Sequence, residues 1–329
     1  MPEGNASRKS LVCYSAQIWA DYRKYVRVWG ADIGIQAFVR LYWNRSQGAK
    51  IKIPKAMDAA FAEPANDDER RIKDMIDAFD RQQAANFEQE LFKQRKRLAD
   101  AERSLRTKTT KAATESARIA TDKIEWCLGK LADLRRTELI DEDSRIFPGW
   151  YAPVMTMQQG RHVVVPMRYQ CRLAGKPAFH DAKFPGTYNA RRDNLEGFWR
   201  DLFGASHAVV IANAFFENVS RHRMEGRELG AGEKEENVIL EFRPRPTQDM
   251  IVACLWSHWQ AGVDSLQSFA AVTDDPPAEI AAAGHDRCII PIKRANVDAW
   301  LRPDRMDLRA QYAILDDRER PYYEHRLAA

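Results

Sequence analysis

A stretch of 64 residues without glycine or proline is the feature that most constrains this fold. It lies between Pro64 and Gly129, and charged residues, glutamine and alanine dominate it. Within it, the apolar residues Phe87, Leu91, Leu98 and Leu105 recur at spacings of four and seven, and Gln94 and Ala101 fill the intervening seam positions. A heptad seam of this kind predicts a long helix that packs against another helix as a coiled coil.

A second apolar row follows the first along the chain. Its members are Ala117, Ala120, Ile124, Leu128 and Leu131. The segment 106–111 between the two rows lacks apolar residues and predicts a turn, so we interpret 66–142 as a helical hairpin inserted into a globular domain. One continuous helix is the alternative. The charges in this region have both signs, which is typical of a solvated coiled-coil surface, and the hairpin is a candidate for partner binding or self-association.

The remainder of the chain is rich in predicted strands. Short apolar runs bounded by glycine, proline and aspartate occur at 162–167, 208–212, 237–242, 250–256, 268–273 and 287–292. Such runs predict an antiparallel or barrel-like sheet. The expected fold class is therefore α+β, with a β-rich, barrel-like core and a long α-helical insertion. The core is assigned to 13–62 and 145–302, and we expect the polar tail, 303–329, to wrap over the surface.

Composition narrows the class of protein. A hydrophobic fraction of 45% supports a large core, and a net charge of +4 permits a nucleic-acid partner without requiring one. The five scattered cysteines have no zinc-site or redox spacing, which indicates a reduced, cytoplasmic protein. No segment approaches the roughly 20 apolar residues of a membrane span. No nucleotide-loop or metal motif occurs, so neither a cofactor nor a metal is expected.

Four residues in separate segments stand out as candidates for chemistry. Cys13 follows a short polar leader, and Asn189 precedes alanine and arginine. Glu217 ends the apolar run 211–217, and His285 stands just before a predicted strand. A carboxylate at the end of an apolar run is unusual, because a buried charge requires a compensating partner.

These residues, in this order, resemble the SOS response-associated peptidase family. Its members begin with a cysteine once the initiator methionine is lost, and they carry an Asn-Ala-Arg segment, a Phe-Glu pair ending a strand, and a His-x-Arg segment before a strand. Further similar segments are 147–153, 167–169, 253–256 and 298–301. The resemblance covers about 11–62 and 145–302.

The resemblance implies covalent capture of abasic sites in single-stranded DNA. The α-amine of a processed N-terminal Cys13 would form an imine with the aldehyde of the opened sugar, and its thiol would close a thiazolidine. Asn189 would orient the sugar and the amine. Glu217 would act as general acid and base, and His285 would shuttle a proton on the sugar oxygen.

The resemblance also implies contacts to DNA. Arg191 would bind a phosphate beside the abasic site, Tyr169 would stack on a base, and Pro153 belongs to a similar loop ending in Ala-Pro. The family's Cys-Gly-Arg opening is replaced by Cys-Tyr-Ser at 13–15, and Asn218 stands where tryptophan is common. These departures remove one phosphate-binding arginine and one stacking residue.

Residues 1–12 block the amine of Cys13 unless they are absent from the mature protein. Either Glu217 and His285 assist autocatalytic excision of this leader, or translation begins at Val12 and the initiator methionine is then removed. An alternative function is a thiol peptidase with Cys13 as nucleophile, His285 as base and Glu217 as orienting residue. Another is a non-enzymatic coiled-coil scaffold on a degenerate domain, against which the retention of all four residues argues.

Overall fold

The computed structural model describes residues 15–262 and 264–328. Cys13, and with it the strand predicted at 11–14, lies outside the described residues. The described chain forms two compact units. The first comprises 15–38, 51–60 and 141–328, and the second comprises 39–50 and 61–140.

The described residues contain twelve strands and ten α-helices, numbered here in chain order. The strands are β1 (Ser15–Ile18), β2 (Asp32–Ile33), β3 (Arg145–Ile146), β4 (Tyr151–Gln158), β5 (Arg161–Tyr169), β6 (Asn189–Arg191), β7 (His207–Ser220), β8 (Asn237–Arg245), β9 (Met250–Ala261), β10 (Asp264–Asp274), β11 (Cys288–Ile289) and β12 (Tyr322–Leu327). The helices are α1 (Tyr22–Trp29), α2 (Ile35–Ser46), α3 (Lys55–Ala59), α4 (Asp67–Thr107), α5 (Lys111–Arg135), α6 (His180–Lys183), α7 (Arg221–Met224), α8 (Ala278–Ala282), α9 (Val297–Leu301) and α10 (Leu308–Asp316).

Five strands close into a barrel, which confirms the predicted fold class. β4 pairs antiparallel with β5 and with β7, β7 pairs antiparallel with β9, and β9 pairs antiparallel with β10. Parallel pairing of β10 with β5 completes the ring. Closure leaves no free edge within this ring, so the backbone donors and acceptors along it are paired.

One apolar cluster fills the core of the sheet. It includes Val154, Met167, Val210, Val252 and Phe269, each at most 4% exposed. Each side chain of this kind contributes roughly 1.5–3 kcal/mol when it is buried. The runs predicted from sequence as strands supply four of these five residues, whereas Val154 lies in β4, which was not predicted. A closed sheet that other elements cover is buried on both faces, and both faces then favour apolar side chains.

Strand β7 extends beyond the barrel and carries a second set of pairings. Its first half pairs with β9, whereas its second half pairs with β1 on one edge and with β8 on the other. β3 pairs with β1, and β12 pairs with β8. Among the described residues, the pairing with β1 ends at Phe216, and the last residues of β7, including Glu217, pair with β8.

The C-terminal tail is more deeply built into the fold than the sequence indicated. Instead of wrapping over the surface, it forms α10 and then β12, whose six residues pair in register with β8. Tyr323 is 2% exposed, and its ring meets Phe215 edge-on at 5.2 Å. Polar residues conceal this role, because only one residue of β12 is buried.

The second unit contains the two long helices, α4 and α5. Asn66 caps α4 by accepting a hydrogen bond from the backbone N–H of Glu69 at 3.0 Å. The predicted turn corresponds to 108–110, between the two helices. The predicted second row is wrong at one position, since Leu128 is 44% exposed whereas Cys127 is fully buried. None of the helices in the described residues has the length and apolar composition that a membrane crossing requires.

Candidate functional site

Two of the predicted site residues contact each other in the first unit. The Nε2 nitrogen of His285 lies 3.1 Å from the Oε2 oxygen of Glu217, and both side chains are fully buried. Glu217 is held by the ladder of β7, where it pairs with Leu240 of β8. The separation is within the range for proton transfer between two groups, although these two atoms are not aligned as a hydrogen bond in this conformation.

The loop that carries His285 is positioned by a glycine. Gly284 has a φ of +93°, and a Cβ at this position would lie 2.9 Å from the Cβ of Arg223. Only glycine combines this left-handed backbone with so close an approach to α7. Because α7 directly follows β7, this contact keeps His285 beside the end of β7.

The other ring nitrogen of His285 fixes its orientation. Nδ1 lies 2.8 Å from the carbonyl oxygen of Arg287 and 3.3 Å from the backbone N–H of the same residue. The shorter distance identifies Nδ1–H as the donor to the carbonyl, because two acceptors would not approach so closely. In the neutral ring, Nε2 then presents a lone pair to Glu217. Burial lowers the pKa of His285, against the opposing effect of the Arg287 carbonyl.

Asn189 begins β6, which pairs in parallel with β10. It is 5% exposed, and neither its Oδ1 nor its Nδ2 has a hydrogen-bond partner among the described residues. A buried amide without partners costs roughly 1–3 kcal/mol. Such a group in a well-packed protein indicates a polar partner other than the described side chains.

Asp193 links the segment of Asn189 to the segment of His285. Its carboxylate accepts hydrogen bonds from Arg191, at 3.0 Å from Nε and 2.5 Å from Nη2, and it lies 3.7 Å from Nη2 of Arg287. The hydrogen bond from Arg191 lowers the pKa of Asp193. Arg191, the predicted phosphate contact, is therefore paired with a carboxylate of the same chain. The side chain of Arg191 is 43% exposed.

The two other predicted DNA contacts are buried. Tyr169 is 4% exposed, and its ring stacks on Phe269 with centroids 5.2 Å apart. Pro153 is buried within β4, and its carbonyl accepts a hydrogen bond from the hydroxyl of Tyr25 at 3.3 Å. In this conformation neither side chain offers a surface to a base, so their roles in DNA contact stay predictions.

The described cysteines are poor candidates for a nucleophile. Cys127, Cys171, Cys254 and Cys288 are all buried and free of disulfides. Burial raises the pKa of each thiol, to about 12 for Cys171. A thiol with a raised pKa is rarely the reactive thiolate. Among the described residues, no cluster of three or more histidine, cysteine or carboxylate side chains is arranged to hold a metal ion.

Comparison with known families adds to this geometry. The sequence model of the family described as SOS response associated peptidase (SRAP) matches residues 104–327. The chain belongs to this family. The match includes Asn189, Glu217 and His285, and it extends past residue 302 to include β12. It confirms the recognition made from the sequence and supports an SRAP-type function associated with DNA damage.

Several solved structures resemble part of this SRAP chain. One, from Bordetella bronchiseptica, is 16% identical and covers 56% of this chain and 87% of its own, with a TM-score of 0.44. One from Bacteroides thetaiotaomicron is 14% identical over 58% and 80%, with a TM-score of 0.43. A phage-related protein from Bordetella bronchiseptica is 14% identical over 59% and 85%, also at 0.43. A search of the curated proteins found no match.

Sequence reasoning missed Arg145, which joins β1 to β7 next to the position of Glu217 in this SRAP chain. Its guanidinium lies 3.6 Å from the ring centre of Phe216, and its Nε donates a hydrogen bond to Ser15 Oγ at 2.9 Å. It thus joins the start of β1 to the residue before Glu217. The only sequence signal was an arginine at the end of the helical insertion, which does not distinguish it from many surface arginines.

Proposed function

We propose that this protein captures abasic sites in single-stranded DNA through the amine and thiol of Cys13, once residues 1–12 are absent. The buried contact between His285 and Glu217 carries the proposal. The histidine and the carboxylate lie 3.1 Å apart, and both are fully buried. A buried titratable pair of this kind is typical of a site that transfers protons rather than of a surface ion pair. Family membership supports DNA as the partner, since it associates the chain with the response to DNA damage.

Strand pairing supports Cys13 as the residue that this pair would serve. β1 begins at Ser15, two residues after Cys13 in the sequence, and Ser15 pairs with Phe216, the neighbour of Glu217. The four described thiols are buried with raised pKa values. Cys13 is therefore the best candidate for the nucleophile.

The proposed reaction has two steps. The neutral α-amine of Cys13 adds to the aldehyde of the ring-opened abasic sugar, and loss of water gives an imine. The thiol then adds to the imine carbon, and its proton passes to the nitrogen, which closes a five-membered thiazolidine. His285 and Glu217 would move the protons of sugar opening and water loss, while the amide of Asn189 would hold the sugar and the amine in place.

The first experiment combines intact mass with a crosslinking assay. Purified protein is incubated with single-stranded DNA containing one abasic site and is run on a denaturing gel beside Cys13→Ala and Cys127→Ala. We expect a mass that begins at Cys13, and a covalent shift that Cys13→Ala abolishes and Cys127→Ala retains. A shift that survives Cys13→Ala, or that forms equally with a species retaining residues 1–12, would overturn the proposal.

A second candidate is a thiol peptidase that acts on external peptides, which the same buried pair favours. Here His285 would activate the Cys13 thiol and Glu217 would orient the imidazole. Incubation with a fluorogenic peptide library separates the two functions. Release of fluorescence that depends on Cys13, without a covalent DNA adduct, would select the peptidase.

A further inference from the structure

The distal half of the helical hairpin concentrates positive charge. Residues 93–111 contain eight lysines and arginines against two carboxylates, a formal net charge of +6. Residues 67–90, the first part of the same helix, contain four against eight, a formal net charge of −4. The mixed charge of the hairpin as a whole therefore conceals two oppositely charged ends.

One face of α4 gathers these cations together with an aromatic ring. At about 100° per residue, Phe92, Arg95, Lys96, Arg103 and Arg106 fall within a sector of about 100°, on the side away from the buried seam residues Gln94 and Ala101. We call these five residues the basic face. All five are exposed, and Phe92 is 75% exposed.

Little within the described chain neutralises the basic face. Arg103 pairs with Asp100 at 3.0 Å in a surface contact, whose contribution to stability is small. Arg95, Lys96 and Arg106 form no ion pair with any described residue. Three unpaired cations and an exposed phenyl ring on one helix face are not needed for folding. They indicate a polyanionic partner with aromatic rings on which Phe92 can stack.

From this charge and exposure we propose that the basic face binds the backbone of single-stranded nucleic acid without sequence preference. The arginines and lysine would contact successive phosphates, and Phe92 would stack on an unpaired base. This surface goes beyond the proposed capture reaction, because it needs neither an abasic site nor a covalent step. It would hold a strand by the hairpin, independently of the chemistry in the first unit.

The test uses Cys13→Ala protein, so that no covalent chemistry intervenes, and a fluorescent single-stranded 20-mer without abasic sites. Anisotropy is measured across a salt series for a variant with Arg95, Lys96, Arg103 and Arg106 each changed to Gln. In the matched control variant, four other exposed cations of the hairpin are changed to Gln instead, namely Arg70, Arg81, Lys123 and Lys130. We expect the first variant to lose about 10-fold or more in affinity and to reduce the salt slope by up to about 3, since each single-strand phosphate contact contributes about 0.7. The control should change affinity by less than about twofold.

A single substitution isolates the ring. Phe92→Leu keeps an apolar side chain but cannot stack, and we expect it to weaken binding about fivefold or more without changing the salt slope. Equal losses in the two four-site variants would overturn the proposal, because net charge alone would then explain binding. Binding of the wild type to anionic phosphatidylserine vesicles but not to the 20-mer would also overturn it. Crosslinking to abasic DNA by protein with Cys13 intact is scored separately, so failure of either proposal is recognisable.

Discussion

The imidazole of His285 and the carboxyl of Glu217 meet 3.1 Å apart with no exposed surface on either side chain. They stand 68 positions apart in the sequence and are held by unrelated means. Glu217 is fixed by strand pairing with β8, whereas His285 is fixed by the left-handed turn at Gly284 and the carbonyl of Arg287. Positions defined by two separate parts of the fold give the pair a fixed geometry, which proton transfer requires.

Removal of the acid should slow capture while the fold persists. Glu217→Gln keeps the shape of the side chain but cannot exchange a proton, so we expect the rate of crosslinking to fall by about 10²-fold or more. The matched control is Glu241→Gln, a buried carboxylate of β8 that pairs with Arg326 at 2.8 Å. Single-turnover gels with both variants measure the effect. Equal rates for the two variants would show that Glu217 has no special role.

Asn189 should separate activity from stability. Asn189→Ala relieves the cost of burying an amide that has no partner among the described residues, so we expect the free energy of unfolding to stay the same or to rise by up to about 3 kcal/mol. The crosslinking rate should nevertheless fall by about 10²-fold, because a preorganised hydrogen-bonding group is lost. Urea unfolding and the gel assay give the two numbers. A large loss of stability with unchanged rate would identify Asn189 as a structural residue.

His207 should make the protein sensitive to acid. Its ring is buried against Trp300, Nδ1 donates to the Trp300 carbonyl at 3.0 Å, and Nε2 accepts from Gly204 N–H at 2.9 Å. Burial lowers its pKa to about 3. The unfolded chain binds a proton below pH 6.5 and the folded chain does not, so stability is lost as pH falls from about 6.5 toward 3.

Between pH 7 and pH 5 this effect amounts to roughly 2 kcal/mol. Urea unfolding at both pH values measures it, with His207→Gln as the comparison. We expect the substitution to lower stability at pH 7 and to remove most of the difference between the two pH values. His285, whose pKa burial also lowers, should account for the remainder. An unchanged pH dependence in His207→Gln would contradict the assignment.

The C-terminal strand should be needed for stability. Tyr323→Ala removes a ring packed against Phe215 in the core, and we expect a loss of about 3–5 kcal/mol, the range for large aromatic truncations. Tyr322→Ala, one residue earlier and 61% exposed, is the matched control and should cost less than about 1 kcal/mol. Thermal unfolding of both variants measures the contrast. Similar losses would mean that β12 is not anchored through Tyr323.

The sequence predicted elements better than it predicted contacts. The run at 250–256 and the run at 268–273 became β9 and β10, because apolar strands have a local signature. The position of the helix break was also local. Whether residue 127 or residue 128 faces the buried seam, however, depends on how α5 is rotated about its axis. Spacings of three and of four residues both fit a helix, so the apolar repeat does not determine that rotation. Polar β12 gave no apolar signal at all.

The sequence by itself determined the α+β class, the helical insertion and membership in the SRAP family, because periodicity and ordered motifs are properties of the chain alone. Only the tertiary structure decided that Glu217 and His285 meet, that Asn189 is buried without a described partner, and that Arg145 joins β1 to Phe216. These contacts join residues far apart in the chain, and their distances follow from strand register and loop conformation, which no local pattern specifies.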